Sequence, residues 1–406
     1  MRIACVGGGP AGLHFASLMK QRNRGHTVTV YERNPPGVTY GWGVVLWDET
    51  LKDLRGSDPL LARQVEEHAF RWTDQVLDRT GAEPVRAGGH GFSISRRHLL
   101  ELLTRRARDV GVEVCFEHEV DALQAAAGAD LVVAADGAGS RLRQRHAGAL
   151  GTHVDVGRNR YLWLGSTKVF DAFTFGFAET SAGWIWMHAY GFDPATSTVV
   201  VECTPEAWTG LGLDRLDAAD SIALLERMFA RQLDGHRLIA GDEDGGPPGW
   251  LQFRTVTNRV WHAGHTVLAG DAAHTTHFSI GSGTSLALED AIALADELGR
   301  NGELDAALHA YGRRRRAEIA RAQAEARLSA RFYEAVPRYS SLHPADMMSA
   351  MLNRRSPLVH RLPPARYGQL RRISRNVGAL RWTRRVAAPA VEALLARRDG
   401  GKTSRG

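Results

Sequence analysis

Three glycines near the start of the chain constrain its fold most strongly. Gly7, Gly9 and Gly12 form a G-x-G-x-x-G pattern between the apolar run "RIACV" and the segment "LHFASLMKQRN". The first glycine permits a tight turn, the second lets the backbone approach a pyrophosphate, and the third lets a helix pack closely on a strand. Together with the next apolar run, "TVTVYE", the pattern predicts a strand–helix–strand unit at the start of a parallel sheet.

The same segment predicts a dinucleotide site. Glu32 ends the second run, where a carboxylate can accept hydrogen bonds from ribose hydroxyls. The helix N-terminus carries partial positive charge and unpaired N–H groups, which suit a diphosphate. Because Glu32 would repel a 2′-phosphate, an unphosphorylated ribose is favoured. The pattern alone does not separate NAD from FAD.

Length and composition indicate a globular enzyme of two domains. The chain has 406 residues, of which 44% are hydrophobic and 24% charged. No apolar run reaches the length of a membrane span, and a strand from residue 2 leaves no room for a signal peptide. Cys5, Cys115 and Cys203 are isolated, so we expect no disulfide, no metal site and a cytoplasmic location.

The net charge of +6 is concentrated at the C-terminal end. Residues 351–406 hold 14 Lys and Arg against 2 Asp and Glu, so the remainder of the chain is net acidic. A basic end of this kind is a solvated extension or an anion-binding segment. We expect the last residues, 397–406, to be disordered.

A second kind of pattern occupies the middle of the chain. "FTFGFAE" alternates three phenylalanines with small or polar residues, and "WIWMHAY" places Trp184, Trp186, His188 and Tyr190 on one face of a strand. With "STVVVEC", these runs predict an antiparallel sheet with one aromatic side. The loop "GDEDGGPPGW" (241–250) ends this part, and a long helical region follows at 303–335.

Two further motifs follow apolar strands. "ADLVVAADGAGSRLR" ends its strand at Asp136 and Gly137 and continues to Arg143. "TVLAGDAAHTTHFSIGSG" shows Asp271 after a strand and enters a helix through Gly281 and Gly283. Taken alone, the last segment is also compatible with an ordinary strand–helix turn in which Asp271 and Ser282 are local caps.

In this order and spacing the three motifs resemble those of the aromatic hydroxylases among the single-component flavoprotein monooxygenases. The resemblance covers about residues 1–340. It implies an α/β fold, α+β overall, with a Rossmann-like FAD-binding domain of the p-hydroxybenzoate hydroxylase type, an interleaved antiparallel-sheet substrate domain and a helical C-terminal part. The implied boundaries are 1–155 with 255–345, then 156–254, and a basic segment at 346–406.

The resemblance implies tightly bound FAD and transiently bound NADH or NADPH. Asp271 would bind the ribityl chain, and Arg96 at a helix start would contact FAD, although Arg97 competes for that role. The implied cofactor-binding residues are Gly7, Gly9, Pro10, Ala11, Gly12, Glu32, Arg33, Trp42, Gly43, Val44, Arg96, Asp136, Gly137, Arg143, Gly270, Asp271, Gly281, Ser282 and Gly283. Phe278 and Ser285 depart from the Pro and Asn that are common at their positions, which reshapes the ceiling over the substrate ring.

Further stretches resemble one branch of this class. "GWGVVLWD", "GGHGFSISRRHLL" and "HFSIGSGTSLALEDA" are similar to salicylyl-CoA 5-hydroxylases and 2-aminobenzoyl-CoA monooxygenases, and more distantly to the tryptophan-derivative hydroxylase of violacein biosynthesis. The resemblance implies that NAD(P)H reduces FAD, that the reduced flavin adds O2 to give a hydroperoxide, and that this hydroperoxide hydroxylates the ring of an aryl-CoA thioester at its 5-position. A free aromatic or indole-derived substrate is the alternative, and neither nucleic acid nor a membrane is an expected partner.

The candidate residues on the substrate side follow from the aromatic strand and the third motif. His188 and His277 are candidate catalytic residues, since an imidazole can take a phenol proton, and Trp186, Tyr190 and Phe278 are candidate substrate contacts. Each has an ordinary structural alternative in the sheet core or a loop.

Three rival functions remain compatible with parts of the sequence. A flavin-dependent halogenase is half supported by "WIWMHA". A flavin reductase acting on an alkene shares the nucleotide motifs, and an anion-binding module would act through the basic tail.

Overall fold

A computed structural model describes residues 1–39, 41–120, 124, 127–241 and 249–369. The chain divides into two compact units, Met1–Glu334 and Ala335–Gly406. Most of the predicted 241–250 loop and the predicted disordered end lie outside the described residues.

The first sheet of the larger unit has six strands in the order β16-β17-β9-β1-β2-β8. All neighbouring pairs are parallel except β16 with β17. Its strands are β1 (Arg2–Val6), β2 (Thr27–Tyr31), β8 (Glu113–Cys115), β9 (Leu131–Ala134), β16 (His262–Ala263) and β17 (Thr266–Leu268). The predicted strand–helix–strand opening of a parallel sheet is confirmed, because β1 pairs in parallel with β2 on one side and β9 on the other.

Helices pack on this sheet and bury its apolar strands. One continuous hydrophobic core joins residues of β1, β2, β9 and β17 to buried side chains of the helices packed on the sheet. The helices of the larger unit are α1 (Pro10–Arg22), α2 (Asp48–Ser57), α3 (Pro59–His68), α4 (Arg96–Asp109), α5 (Arg141–Arg145), α6 (Ala147–Leu150), α7 (Pro205–Gly210), α8 (Ala218–Met228), α9 (Ala230–Leu233), α10 (Gly283–Arg300) and α11 (Leu304–Glu334).

The second sheet has eight strands, seven of them in the order β14-β10-β13-β12-β11-β5-β6, with β15 paired to β10. Every pair is antiparallel except β5 with β11, so the predicted antiparallel sheet is largely confirmed. Its strands are β5 (Gln75–Arg79), β6 (Val85–Arg86), β10 (Thr152–Ser166), β11 (Phe173–Thr180), β12 (Gly183–Gly191), β13 (Ser197–Cys203), β14 (Leu238–Ile239) and β15 (Leu251–Asn258). A third, three-stranded sheet contains β3 (Gly43–Leu46), β4 (Phe70–Trp72) and β7 (Gly91–Ser95).

The chain interleaves its two large sheets. Strands β5 and β6 belong to the first hundred residues but join the antiparallel sheet, and the chain returns to the parallel sheet at β16 and β17. The domain boundaries predicted from sequence order stay a prediction.

The smaller unit is helical where it is described. It contains α12 (Val336–Tyr339), α13 (Pro344–Leu352) and α14 (Pro357–Arg361). Tyr339, Met347, Met351 and Val359 are buried, and the Tyr339 hydroxyl donates to the Val359 carbonyl at 3.2 Å. Apolar side chains at helical spacing therefore pack these helices together.

A buried carboxylate fixes α1, α3 and α4 relative to one another. Asp58 is fully buried and caps α3 by accepting from the Leu61 N–H at 3.2 Å. It also accepts from Gln21 of α1 and from the Arg106 guanidinium of α4, both at 2.7 Å. Burial disfavours its charge, but the bonds from Arg106, Gln21 and Leu61 prevail, so the pKa of Asp58 is lowered. Because α1 begins at the glycine motif, Asp58 helps to fix the helix that borders the predicted nucleotide site.

We expect Asp58→Ala to lower the free energy of unfolding by about 3–5 kcal/mol, because it breaks a buried ion pair and removes a cap. Urea denaturation at neutral pH measures this loss. The matched control is Asp130→Ala, which removes a solvent-exposed partner of Arg2 and should change stability little. Since the pKa of Asp58 is lower in the folded state, its contribution should hold above about pH 4 and decline as the pH falls below that value. Equal stability of the two variants would contradict this role for Asp58.

Candidate active site

The predicted motifs lie at one edge of the parallel sheet. Gly7 follows β1, Glu32 follows β2, Asp136 follows β9 and Gly270 follows β17. The carboxyl ends of parallel strands meet at a single edge, where ligands of open α/β sheets bind. The topology therefore brings residues more than 260 positions apart in the sequence to one site.

The three motifs touch one another pairwise. A Cβ atom added to Gly7 would lie 2.2 Å from the carbonyl oxygen of Ala135, so the first motif passes directly over the second. A Cβ on Gly270 would lie 3.0 Å from that of Ala11, which joins the third motif to the first. The Arg143 guanidinium donates to the Ala272 carbonyl at 3.1 Å and so joins the second motif to the third.

The first glycine turn has the form that a diphosphate needs. Gly7 has a φ of +112°, which an L side chain rarely adopts. A Cβ on Gly12 would lie 2.2 Å from the Gly7 carbonyl oxygen, whereas one on Gly9 would meet nothing within 4 Å. Gly7 and Gly12 are therefore required by the fold, and Gly9 leaves open space in front of α1.

The N-terminus of α1 is open to a negative ligand. Gly9 is its N-cap, no side chain caps it, and its first turn contains no acidic residue. Beside it, Glu32 accepts from the Gly8 N–H at 2.7 Å and from the Asn34 N–H at 2.9 Å. A carboxylate has further lone pairs to offer, so Glu32 both fixes the turn and can receive ribose hydroxyls.

A cavity of about 560 Å³ runs over this turn. Glu32, Arg33, Arg96, Asp136 and Gly137 line it together with the glycine turn. The Asp136 Oδ2 accepts from the Arg141 N–H at 2.8 Å, while its buried Oδ1 has no hydrogen-bond partner among the described residues. An open helix N-terminus, an unsatisfied acceptor and a cavity of this volume fit the adenosine diphosphate half of a dinucleotide.

Arg96 and Arg97 can now be distinguished by their surroundings. Both line the cavity, but Arg96 is half-buried while Arg97 is exposed. The Arg96 guanidinium donates to the Thr39 hydroxyl at 3.0 Å. Burial lowers the pKa of Arg96, and the charge of Asp271 opposes that shift. Arg96 therefore lies between the first cavity and the third motif, and its contact with FAD stays a prediction.

Arg143 has a different environment from the one its motif suggested. It is buried and donates to the carbonyls of Ala272 and Ala138. These bonds make it a brace between two loops, and its proposed contact with a cofactor stays a prediction.

Asp271 lies in the short turn Gly270–Ala272 that follows β17. Its side chain is exposed, yet desolvation by the surrounding protein raises its pKa. The charges of His274 and Arg96 oppose this shift. It forms no hydrogen bond to any residue in the described part of the chain. A carboxylate held in this way is free to accept hydrogen bonds from a bound ligand.

The turn that presents Asp271 is held by a buried carboxylate that the sequence interpretation missed. Asp290 of α10 is fully buried and accepts from the Gly270 N–H at 2.8 Å. It also contacts His274 at 2.8 Å and the Arg315 guanidinium of α11 at 2.7 Å. Burial opposes its charge, but His274 and Arg315 prevail and lower the pKa of Asp290. The sequence signal was an acidic residue on the apolar face of a helix.

A second helix N-terminus opens into the same region. Ser282 precedes α10 without capping it, and its first turn contains no acidic residue. A Cβ on Gly283 would meet nothing within 4 Å. The Trp47 indole N–H donates to the Gly281 carbonyl at 3.0 Å, which joins the segment after Trp42, Gly43 and Val44 to the third motif. A Cβ on Gly281 would lie 3.6 Å from that of Val45, so the third motif neighbours β3, the strand that also contains Gly43 and Val44.

The predicted aromatic face of β12 exists and pairs with that of β11. Three side chains of β12 contact three phenylalanines of β11 in register, with ring centroids 5.0 to 6.4 Å apart: Tyr190 on Phe173, His188 on Phe175 and Trp186 on Phe177. His188 also lies 5.8 Å from the ring of Phe278 in the third motif. The aromatic face therefore extends to the loop that carries Asp271.

Two of the three proposed substrate residues have their polar atoms bonded to protein. The Trp186 indole N–H donates to Glu202 at 3.0 Å, and the Tyr190 hydroxyl donates to the Gly43 carbonyl at 2.9 Å. Both side chains are buried, whereas Phe278 is half-buried and packs against Tyr161 at 4.9 Å. A direct substrate contact stays a prediction for each, and Phe278 has the most open position.

A second buried carboxylate, also missed from the sequence, links the two candidate histidines. Glu202 of β13 is 1% exposed, and Asn159 donates to it at 2.7 Å. Its carboxylate oxygens lie 3.6 Å from the His188 Nε2 and 4.0 Å from the His277 Nε2. Burial raises the cost of this charge, but His188 and His277 outweigh it and lower the pKa of Glu202. A charged group thus lies under the aromatic face.

Comparison with known proteins agrees with this geometry. The family described as FAD binding domain matches residues 86–326, more than half of the chain, and an NAD(P)-binding Rossmann-like domain matches residues 5–37. The chain belongs to this family of FAD-dependent aromatic monooxygenases. FAD binding and the use of NAD(P)H, both implied by the sequence resemblance, are confirmed at the level of the family.

Curated relatives of this monooxygenase name aromatic substrates. A salicyloyl-CoA 5-hydroxylase from a Streptomyces species is 40% identical over 349 residues, covering 84% of this chain but only 66% of that protein. A 3-hydroxy-4-methyl-anthranilyl-[aryl-carrier protein] 5-monooxygenase from Streptosporangium sibiricum is 39% identical over 338 residues, 83% of this chain and 90% of that one. Protodeoxyviolaceinate monooxygenase from Chromobacterium violaceum is 29% identical, covering 88% and 95%.

Solved structures share the fold of the monooxygenase. The tetrameric form of 2-methyl-3-hydroxypyridine-5-carboxylic acid oxygenase is 19% identical with a TM-score of 0.62, covering 90% of this chain and 97% of that one. PqsL of P. aeruginosa in complex with 2-aminobenzoylacetate is 21% identical with a TM-score of 0.63, covering 82% and 97%. At these identities the likeness establishes the fold alone.

Two other features bear on partners. None of the helices in the described ranges is long and apolar enough to cross a membrane. His262, Asp305 and His309 bring three possible metal-ligand atoms within 4.8 Å of one another, although the sequence predicted no metal. Two of these side chains are exposed, and they do not line the nucleotide cavity.

We expect Asp271→Ala to be purified largely without flavin. Loss of a charge-assisted hydrogen bond should weaken FAD binding about 10- to 100-fold, and the ratio of flavin absorbance to protein measures this. Because Asp271 is exposed and bonds to no described residue, the thermal stability of the flavin-free protein should be unchanged. Asp290→Ala is the comparison, since it should lower both flavin content and stability. Full FAD occupancy in Asp271→Ala would contradict the role assigned to this carboxylate.

Proposed function

We propose that this enzyme hydroxylates an aromatic ring bound as a thioester, at the position para to an ortho hydroxyl or amino group. Salicyloyl-CoA is the substrate that we favour. The observation that carries the proposal is the His188 side chain, which lies on an aromatic face with its ring 5.8 Å from that of Phe278 in the third motif. The cytoplasmic location inferred from the isolated cysteines is part of this proposal.

Two relatives support the substrate class. At 40% and 39% identity they are named for aryl groups attached to coenzyme A and to a carrier protein, and both are named for attack at the 5-position. The relative named for protodeoxyviolaceinate, an unattached substrate, is 29% identical. The gradient of similarity thus favours a carrier-bound ring over a free aromatic or indole-derived metabolite.

The proposed division of labour begins with the cofactor. FAD supplies the electron transfer and the oxygen activation when it is bound, and NAD(P)H supplies the electrons. The chain supplies the two open helix N-termini at α1 and α10 and the carboxylate of Asp271. We assign the FAD contacts to the predicted residues at these three places, with Arg96 between them.

The chain's second task is to hold the ring and exclude water. Phe175, Phe278 and Tyr333 surround His188 at centroid distances of 4.8 to 5.8 Å. Apolar walls of this kind keep water from reactive groups and strengthen the electrostatic interactions inside. The ring of the substrate would lie against Phe278, which takes the place of a proline common in this class.

We assign the proton transfer to His188. An imidazole beside the substrate hydroxyl can accept its proton, which raises the electron density of the ring at the para position. The His188 Nε2 lies 3.6 Å from Glu202, and the His188 ring lies 4.8 Å from that of Tyr333. Glu202 is ionised at neutral pH and stabilises positive charge on either histidine. His277 lies at a similar distance from Glu202 and is the second candidate.

The first test of the function is a substrate panel. The purified holoenzyme should consume NAD(P)H much faster with salicyloyl-CoA or 2-aminobenzoyl-CoA than with salicylate, anthranilate or tryptophan. Loss of NAD(P)H absorbance gives the rate, and product mass gives the added oxygen atom. Equal stimulation by the free acids would exclude the thioester assignment, and transfer of chloride or bromide to the ring would favour the halogenase alternative.

The second test concerns Glu202 and His188. We expect His188→Gln to lower kcat by about 100-fold. Glu202→Gln should move the acid limb of the kcat profile to lower pH by about one unit, because loss of the carboxylate favours the neutral imidazole. Glu206→Gln removes an exposed carboxylate paired with Arg158 and serves as the control, with an unchanged profile. An unshifted profile in Glu202→Gln would show that this carboxylate is structural only.

A further inference from the structure

We propose that a second cavity, between β10, β15 and α11, receives the phosphopantetheine arm of the thioester substrate. The proposal rests on the proposed function. It names the route by which the carrier arm would extend away from the aromatic chamber, the proposed position of the ring beside His188, Phe175, Phe278 and Tyr333. The chemistry is shared by coenzyme A and carrier proteins, since both present the acyl group on the same phosphate-bearing arm.

The cavity is narrow and has a volume of about 200 Å³. Along α11 its lining residues recur at helical spacing from Gln323 to Glu334, a stretch of roughly 16 Å at 1.5 Å per residue. This volume is smaller than that of the cavity over the glycine turn, and it is spread along the helix. It therefore fits an extended chain better than a second nucleotide. The arm of a thioester is such a chain.

The inner end of the cavity reaches the proposed chamber. Tyr161, Glu202 and His277 line this end. Tyr161 and His277 have their rings 4.9 and 4.2 Å from that of Phe278. Burial raises the pKa of Tyr161, and the charge of Asp271 adds to that shift. A thioester whose ring lies under Phe278 would therefore enter the cavity directly at its sulfur.

The walls match the chemistry of the arm. The walls combine apolar surface with polar groups of Asn159, Thr255 and Gln323; the apolar part comes from Val156, Phe253, Ala326 and Ala330. The amide nitrogens of Asn159 and Gln323 donate to protein, so their amide oxygens are the atoms that can accept from the arm. An arm of methylenes interrupted by two amides needs this mixture, because buried amides require partners. The inner walls contain only one carboxylate, Glu202, which the histidines already engage.

Two arginines lie at the outer end. Arg327 and Arg331 are one turn apart on α11, both exposed, and neither forms an ion pair with a residue in the described structure. Asp155 and Glu334 also line the outer end, but Asp155 contacts His153 at 3.0 Å and Glu334 accepts from the Arg158 N–H at 3.5 Å. The two unpaired guanidiniums are therefore available for the phosphate that follows the arm.

The test uses the holoenzyme with three salicyloyl donors: coenzyme A, a loaded aryl carrier protein, and pantetheine without phosphate. We expect the double variant Arg327→Ala/Arg331→Ala to raise the KM for salicyloyl-CoA at least ten-fold with kcat unchanged, and to leave the KM for salicyloyl-pantetheine unchanged. If the double variant also raises the KM for the loaded carrier protein, the two arginines bind the arm's own phosphate. If it raises only the KM for salicyloyl-CoA, they bind the nucleotide phosphates of coenzyme A.

A second variant tests the cavity itself. Ala330→Trp should fill it and raise the KM for all three donors, while flavin content and thermal stability stay as in the wild type. Arg321→Ala, on the same helix with an exposed side chain paired to Glu325, is the control. Titration of the oxidised enzyme with coenzyme A by calorimetry gives a readout without turnover, and the double variant should bind it at least ten-fold more weakly.

The outcomes separate the two proposals. If wild-type enzyme hydroxylates salicyloyl-CoA, and both the double variant and Ala330→Trp keep its KM, the carrier route is wrong and the function stands. If the wild-type enzyme hydroxylates no thioester, the proposed function and the route fall together.

Discussion

The candidate site depends on the hydrogen bonds and the ion pair that the buried Asp290 carboxylate makes. Asp290 is fully buried, and its carboxylate lies 2.7 to 2.8 Å from the Gly270 N–H, His274 and Arg315. The turn after β17 presents Asp271 to solvent only while this buried charge is satisfied on several sides. Removing Arg315 would take away the guanidinium that pairs with this buried carboxylate, and breaking a buried ion pair is strongly destabilising.

The molecule uses buried carboxylates repeatedly to position polar surfaces. Asp58 connects three helices, Asp290 holds the turn that carries Asp271, and Glu202 lies beside the two histidines. Each is buried, each has a lowered pKa, and each is matched by cationic or hydrogen-bonding partners. Such groups are fixed in one geometry, which suits a site whose ligands must be oriented rather than merely bound.

Much of the architecture followed from local patterns. The glycine spacing, the period-two aromatic runs and the long helical stretch predicted β1, α1, β11, β12 and α11 correctly, since each reflects contacts within a few residues or one repeating face. The parallel pairing of β5 with β11 and the crossing of β5 and β6 into the antiparallel sheet had no such signal. They depend on pairing between strands about a hundred residues apart, which a pattern along the chain does not encode.

The sequence by itself determined that the chain has three turns that follow β-strands and an aromatic strand, because glycine, acidic and alternating apolar positions are local requirements of those structures. Only the tertiary structure decided which side chains meet. It separated Arg96 from Arg97 by burial, made Arg143 a brace between loops, and placed Glu202 between His188 and His277. The physical reason is that a buried charge is stable only beside its partners, and those partners come from strands and helices distant in the sequence.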